Sequence, residues 1–121
     1  MDIDNMQAGG GIDAEIAEKV MGWKQHSISE RMWYGDNRSI GKGGFRPSVD
    51  IVWAFEVVEK MRDFEKYLIL NNLPESGKYL AVFTKLLTAQ DHKIDYFSGA
   101  CCETAPMAIC RAALKAVIDG E

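Results

Sequence analysis

Thr104 and Arg111 are the residues of this chain whose types and spacing most readily suggest chemistry. They share the run Glu103-Thr104-Ala105-Pro106-Met107-Ala108-Ile109-Cys110-Arg111-Ala112-Ala113-Leu114. Thr104 can cap a helix, and Pro106 suits its first turn because the N–H that proline lacks has no partner there. The start of such a helix offers backbone N–H groups, a hydroxyl and a positive dipole end to an anion. Arg111 lies one turn beyond Met107 and flanks the apolar stripe, where a guanidinium can stack on a base or fork a phosphate. The competing reading is an edge arginine paired with a carboxylate such as Asp119 or Glu121.

Two further groups could serve the same ligand. In the strand expected from Lys78 to Leu87, Leu80, Val82, Thr84 and Leu86 fall on one face and read as core. Tyr79, Ala81, Phe83 and Lys85 fall on the other and read as half-exposed. Phe83 could stack a purine and Lys85 could neutralise a phosphate. Equally, Phe83 could pack under a helix while Lys85 reaches solvent. The segment from Arg31 to Arg46 carries Arg31, Arg38, Lys42 and Arg46 against one internal acid, Asp36, and Gly41, Gly43 and Gly44 would let backbone approach a ligand. It reads either as a basic flap over a phosphate or as a solvated loop. Gly41-Lys42-Gly43-Gly44 lacks the spacing and the Ser/Thr of a phosphate-binding P-loop.

Catalytic constellations are not evident. Ser27 and Ser29 beside His26 have no nucleophile motif or orienting acid. Cys101 and Cys102 precede a helix, yet nothing brings His92 to them. Three cysteines, two of them adjacent, make a poor disulfide framework, and two histidines in other regions make a poor zinc set. The expectation is reduced thiols, with Cys110 in the core, and no metal, cofactor or catalysis.

The elements that would position these groups follow from pattern. The 121 residues fit one domain able to bury a core, and 47% apolar content fits a globular chain. A net charge of -4 disfavours long nucleic acid but leaves room for a small anion in a local basic pocket. No apolar run suits a membrane span, and Met1-Asp2-Ile3-Asp4 lacks a signal-peptide core, so a cytoplasmic location is expected.

Residues 1–11, ending in three glycines, read as a flexible segment ahead of a single domain over 12–121. A helix begins near Ile12 or Asp13, with Asp13 able to cap it, Ile12, Ile16, Val20 and Trp23 on one face, and Gly22 at its end. Residues 24–47 read as irregular or short-stranded, with a strand at 32–34, a turn at Gly35-Asp36-Asn37 and a mobile loop from Ile40 to Phe45. A second helix follows Pro47, with Ser48 as N-cap and Ile51, Ala54, Phe55, Val58 and Met61 as its apolar stripe.

Strands are expected at 67–70, 78–87 and 93–98, separated by turns at Asn71–Gly77 and Gln90–His92. The last helix, from about Pro106 to Ile118, presents Met107, Cys110, Leu114, Val117 and Ile118 and stops at Gly120. The order predicts an α+β fold, a small antiparallel sheet sandwiched by helices.

The run Glu103 to Leu114 resembles the signature of small phage and prophage proteins with an α-β-α sandwich. Ile16-Ala17-Glu18-Lys19-Val20-Met21-Gly22-Trp23-Lys24 resembles their first-helix motif, and the stretch from Ser48 to Met61 resembles their middle helix. Within that group the chain is similar to the Thoeris anti-defence proteins of phages. The resemblance implies a non-enzymatic sponge that holds the cyclic ADP-ribose isomer made by bacterial TIR enzymes, and in some relatives cyclic oligonucleotides, in the cytoplasm of the infected host. It also implies a homo-oligomer with ligand sites at subunit interfaces. Carried onto this chain, Phe83 would be the adenine-stacking aromatic and Arg111 the ligand-facing helix arginine, with Thr104 beside it. Lys85 and, in the basic flap, Arg46 complete the candidate set. The alternative function is a phage accessory protein that binds and blocks a host protein.

Overall fold

The computed structural model describes residues 2–25, 30–86, 94–96 and 99–119. The turn expected at Gln90-Asp91-His92, the cluster His26, Ser27 and Ser29, and the stop at Gly120 lie outside them. Helix α1, Gly10–Glu15, runs without interruption into a π-helical stretch, Ile16–Val20. Ile12, Ile16, Val20 and Trp23 are all buried, as their spacing predicts. Gly22 ends the run at φ +73°, the left-handed conformation that glycine takes without a Cβ clash.

The caps differ from expectation. Asp13 sits inside α1 and is buried, its Oδ1 accepting the N–H of Ser48 at 2.9 Å, while Gly9 N–H donates to Ser48 Oγ at 3.0 Å. Ser48 is therefore a tertiary link and not a helix cap. Asp50 caps α2, Ile51–Arg62, by accepting from Val52 N–H at 2.9 Å. The stripe of α2 is also rotated from the predicted one. Ala54, Val57 and Met61 face the core, and Ile51 and Phe55 are exposed.

The segment expected to be irregular forms a three-stranded antiparallel sheet of β1, Lys24–Gln25, β2, Met32–Gly35, and β3, Arg38–Gly41. Its second hairpin turns at Asp36 and Asn37, with φ of 52° and 61°, the paired positive values of a tight two-residue turn. Phe45, expected in a mobile loop, is sealed between Trp23 and Trp53, with ring centroids 4.7 and 5.1 Å away. Arg38 lies over both tryptophans and donates to Glu56 at 2.8 Å. The basic segment is thus pinned by aromatic packing and an ion pair.

The second sheet contains β4, Tyr67–Leu73, β5, Lys78–Leu86, β6, Ile94–Tyr96, and β7, Ala100–Cys102. β4 lines one edge of β5, and β6 and β7 share the other. Tyr96 pairs Thr84 and Ala100 pairs Ala81, so the outer chain spends one residue more than its partner between those two pairs. β7 was not expected. Three residues ending in two cysteines carry too little periodicity to announce a strand.

β5 departs from the predicted faces at Ala81 and Phe83, while Thr84, expected in the core, is buried. Ala81 and Phe83 point into the core, together with Leu68 and Leu70 of β4. Phe83 is fully buried, so within one copy of the chain it is a core residue with no free ring face, contrary to the stacking role. The reason is α3, Ala105–Asp119, which packs on that side of β5 and β7.

Helix α3 is the centre of the molecule. Met107 to Cys110, Ala112 to Leu114 and Ala116 are buried, around the whole circumference, whereas Ile118 of the predicted stripe is exposed. A helix covered on every side is a core helix, and its alanines let neighbours approach closely. It touches β5, β7, α2, α1, the π stretch and the 3-10 turn Ile3–Asn5. The N-terminal segment expected to be flexible is docked there, with Ile3 buried and Asp4 paired to Lys115 at 2.6 Å.

Two outcomes follow from this packing. Phe83→Ala should cost roughly 3–5 kcal/mol in urea unfolding, as deletion of a buried aromatic does; a loss near zero would mean the ring is not core. Burial raises the Asp13 carboxyl above its ordinary value of 3.8, a shift partly offset by the Ser48 hydrogen bonds and by Arg46. The folded state then holds that proton more tightly than the unfolded chain, so this term favours folding below 3.8 and fades as pH rises through the raised folded value. Asp13→Asn should remove that fall, read as a flatter stability profile above pH 4 in urea titrations; an unchanged slope would contradict the assignment.

Candidate functional site

Four segments meet at the N-terminal end of α3. The pairing of Tyr79 with Cys102 brings the end of β7 against the start of β5, placing Lys78 beside Cys101 and Cys102. The chain then turns at Glu103 and Thr104 into α3, and residues 7 and 8 approach from the N-terminal segment. Between them lies a cavity of about 420 Å³ lined by Gln7, Ala8, Lys78, Cys101, Cys102, Glu103, Thr104, Met107 and Arg111.

The helix end contributes less to anion binding than its sequence suggests. Thr104 Oγ1 accepts from Met107 N–H at 3.3 Å, Ala108 N–H goes to the Thr104 carbonyl at 3.1 Å, and Pro106 has no N–H. Most first-turn donors are therefore already used. The Thr104 hydroxyl keeps its own proton to donate.

Side-chain charge does more. Arg111 is half-buried, with Nη1 near Cys102 Sγ at 3.4 Å and Nη2 donating to the Met6 carbonyl. Its Nε is buried without a hydrogen-bond partner. A buried, unpaired donor on a cation is costly unless a ligand or water meets it. Lys78 adds an exposed second cation, and among the described residues Glu103 is the one acid in the wall.

Two of the three thiols, Cys102 and Cys110, are buried and poorly suited to nucleophilic work. Burial raises the Cys102 thiol, against the pull of Arg111, and burial pushes Cys110 well up. Both stay protonated at neutral pH, and a thiol is not the nucleophilic form. Among the described residues, no three His, Cys, Asp or Glu side chains converge to hold a metal ion.

A larger cleft of about 500 Å³ contains Arg38 and Lys60, but its cations already face acids. Arg38 pairs with Glu56 at 2.8 Å, and Lys60 lies 3.9 Å from both Asp36 and Asp63. The charge of the smaller Arg111 cavity is less neutralised, with Arg111 and Lys78 facing one acid, Glu103, among the described residues.

Of the candidates named from sequence, Thr104 and Arg111 come together in this cavity. Phe83 lies in the core, away from its wall. Arg46 is exposed on the loop before α2 and does not line it; its carbonyl accepts from Val49 and Asp50 at 3.2 and 2.9 Å. Lys85 has its backbone in β5, and its side chain lies outside the described residues. Lys78, Gln7 and Glu103 were not anticipated. Lys78 becomes a candidate only once β7 is known to pair with the start of β5.

Among the described residues, no helix is long and apolar enough to cross a membrane. No curated protein and no solved structure matches the chain. A family model of the phage ABA sandwich domain matches residues 14–114, from within α1 to the buried Leu114 of α3. That span covers most of the chain and all of the described strands, and this α+β protein belongs to the phage ABA sandwich domain family.

Proposed function

We propose that this phage protein is a non-enzymatic sponge that captures a cyclic nucleotide immune signal, such as glycocyclic ADP-ribose made by TIR enzymes or a cyclic oligonucleotide, in the cytoplasm of the infected host. The observation that carries the reading is the half-buried Arg111 guanidinium, with Nε unpaired, in the wall of a cavity that also holds Lys78 and Thr104. A volume of about 420 Å³ falls within the range of ligand pockets, roughly 300–1,000 Å³.

In this reading Arg111 forks a phosphate, Lys78 supplies a second positive charge and the Thr104 hydroxyl donates to a phosphate oxygen. Phosphates can be held here without activated water or a thiolate, so the ligand stays intact. The base needs an apolar surface, and Phe83 is sealed in the core. A second copy is the natural source. The α2 side chains Val52 and Phe55 are 69% and 50% exposed, with Val49 and Ile51 beside them, an apolar patch that suits association between copies. The same patch favours the second reading, a phage accessory protein that binds and blocks a host protein.

Calorimetry with glycocyclic ADP-ribose tests the sponge. Binding at micromolar protein or tighter is expected, with intact ligand recovered after heat denaturation. Arg111→Ala and Lys78→Ala should each weaken binding by about tenfold or more, since each removes a charged contact. Lys78 is exposed, so its loss should leave the fold unchanged. No heat with cyclic nucleotides would overturn the sponge, and hydrolysed product would make the protein an enzyme.

A further inference from the structure

Arg111 and Lys115 stand one turn apart on α3, about 6 Å along its axis, in a stretch where nearly every other side chain is buried and apolar. Both already hold oxygen atoms of the N-terminal turn. The Met6 carbonyl accepts from Arg111 Nη2, and the Asp4 carboxylate lies 2.6 Å from Lys115 Nζ. Lys115 also donates to the Gly99 carbonyl at 3.0 Å. The Asp4 carboxyl is held below its ordinary range chiefly by Lys115, and Arg111 adds to the effect, so this one acid senses both cations.

Two oxygen-bearing groups thus sit on two cations one helical turn apart, and Arg111 also lines the neighbouring cavity, whose wall does not include Lys115. We propose that the Asp4–Met6 turn is an internal stand-in for ligand, occupying the Arg111–Lys115 row in the free protein and giving way when a diphosphate group enters. The site then favours ligands with two linked phosphoryl groups over a single phosphate. The proposal rests on the reading of the Arg111 cavity as an anion site.

Release is undemanding. A phosphoryl oxygen forms a stronger, charge-assisted bond to Arg111 than a neutral carbonyl does. The Asp4 side chain is 71% exposed, so its ion pair is screened by water and can open by side-chain rotation. Ile3 is buried beside it and keeps the segment tethered while Asp4 and Met6 move.

The test is calorimetry of the full chain with inorganic pyrophosphate and with orthophosphate, for the native protein, Asp4→Asn and Asp4→Ala. Asp4 is exposed, and matching urea midpoints would show that both variants fold. Removing the competitor should tighten pyrophosphate binding by roughly fivefold, the low end of a typical coupling between sites. Orthophosphate should bind more weakly and change less. Equal or weaker pyrophosphate binding in both variants would overturn the stand-in role while leaving the anion site in place. Failure of both anions to bind any of the three proteins would remove this proposal together with the anion-site reading.

Discussion

The structure depends on one constraint: α3 is buried on every side and yet carries two cations. Its apolar and alanine surfaces can be covered by a sheet, by α2 and by the π stretch after α1. Arg111 and Lys115 cannot be covered that way, because a charge taken from water needs oxygen partners. The Met6 carbonyl, Asp4 and the Gly99 carbonyl supply them. The N-terminal segment is consequently part of the fold. Gly99 must also come close, and a Cβ there would lie 2.7 Å from Val82 Cγ2 and 2.9 Å from the Ala81 carbonyl. Glycine is the residue that fits.

Legibility in the sequence follows the range of the physics. Local periodicity located α1, α2, β4, β5 and α3, and Gly22, Asp36 and Asn37 marked ends and turns through their backbone freedom. Facing was harder. The α2 stripe was rotated because Ile51 and Phe55 are apolar but exposed, and hydrophobicity alone does not say which of two adjacent faces is covered. Ala81 and Phe83 of β5 lie on the covered face for the same reason: both faces carry apolar residues, and only the placement of α3 decides between them. Ser48 and Asp13 look like caps but bind each other across 35 residues, a contact that no window could contain.

The candidate site was half legible. Thr104 and Arg111 lie in one run and meet in one cavity, since a helix carries its own spacing into space. Lys78 and Gln7 arrive from β5 and the N-terminal segment, through pairing and docking that are not local. The chemistry of Phe83 and Arg46 suits a ligand, but tertiary placement sends one to the core and the other to a surface outside the cavity. What distinguishes Arg111 from an ordinary edge arginine is quantitative. Two of its nitrogens have partners, and the third is buried with none.

The unpaired Arg111 Nε–H can be watched directly by 15N–1H nuclear magnetic resonance, with its signal assigned by loss in Arg111→Lys. Addition of glycocyclic ADP-ribose should shift this resonance and slow its exchange with solvent, in step with saturation of the ligand. Saturable ligand binding that leaves the Arg111 Nε–H signal unmoved would contradict the account.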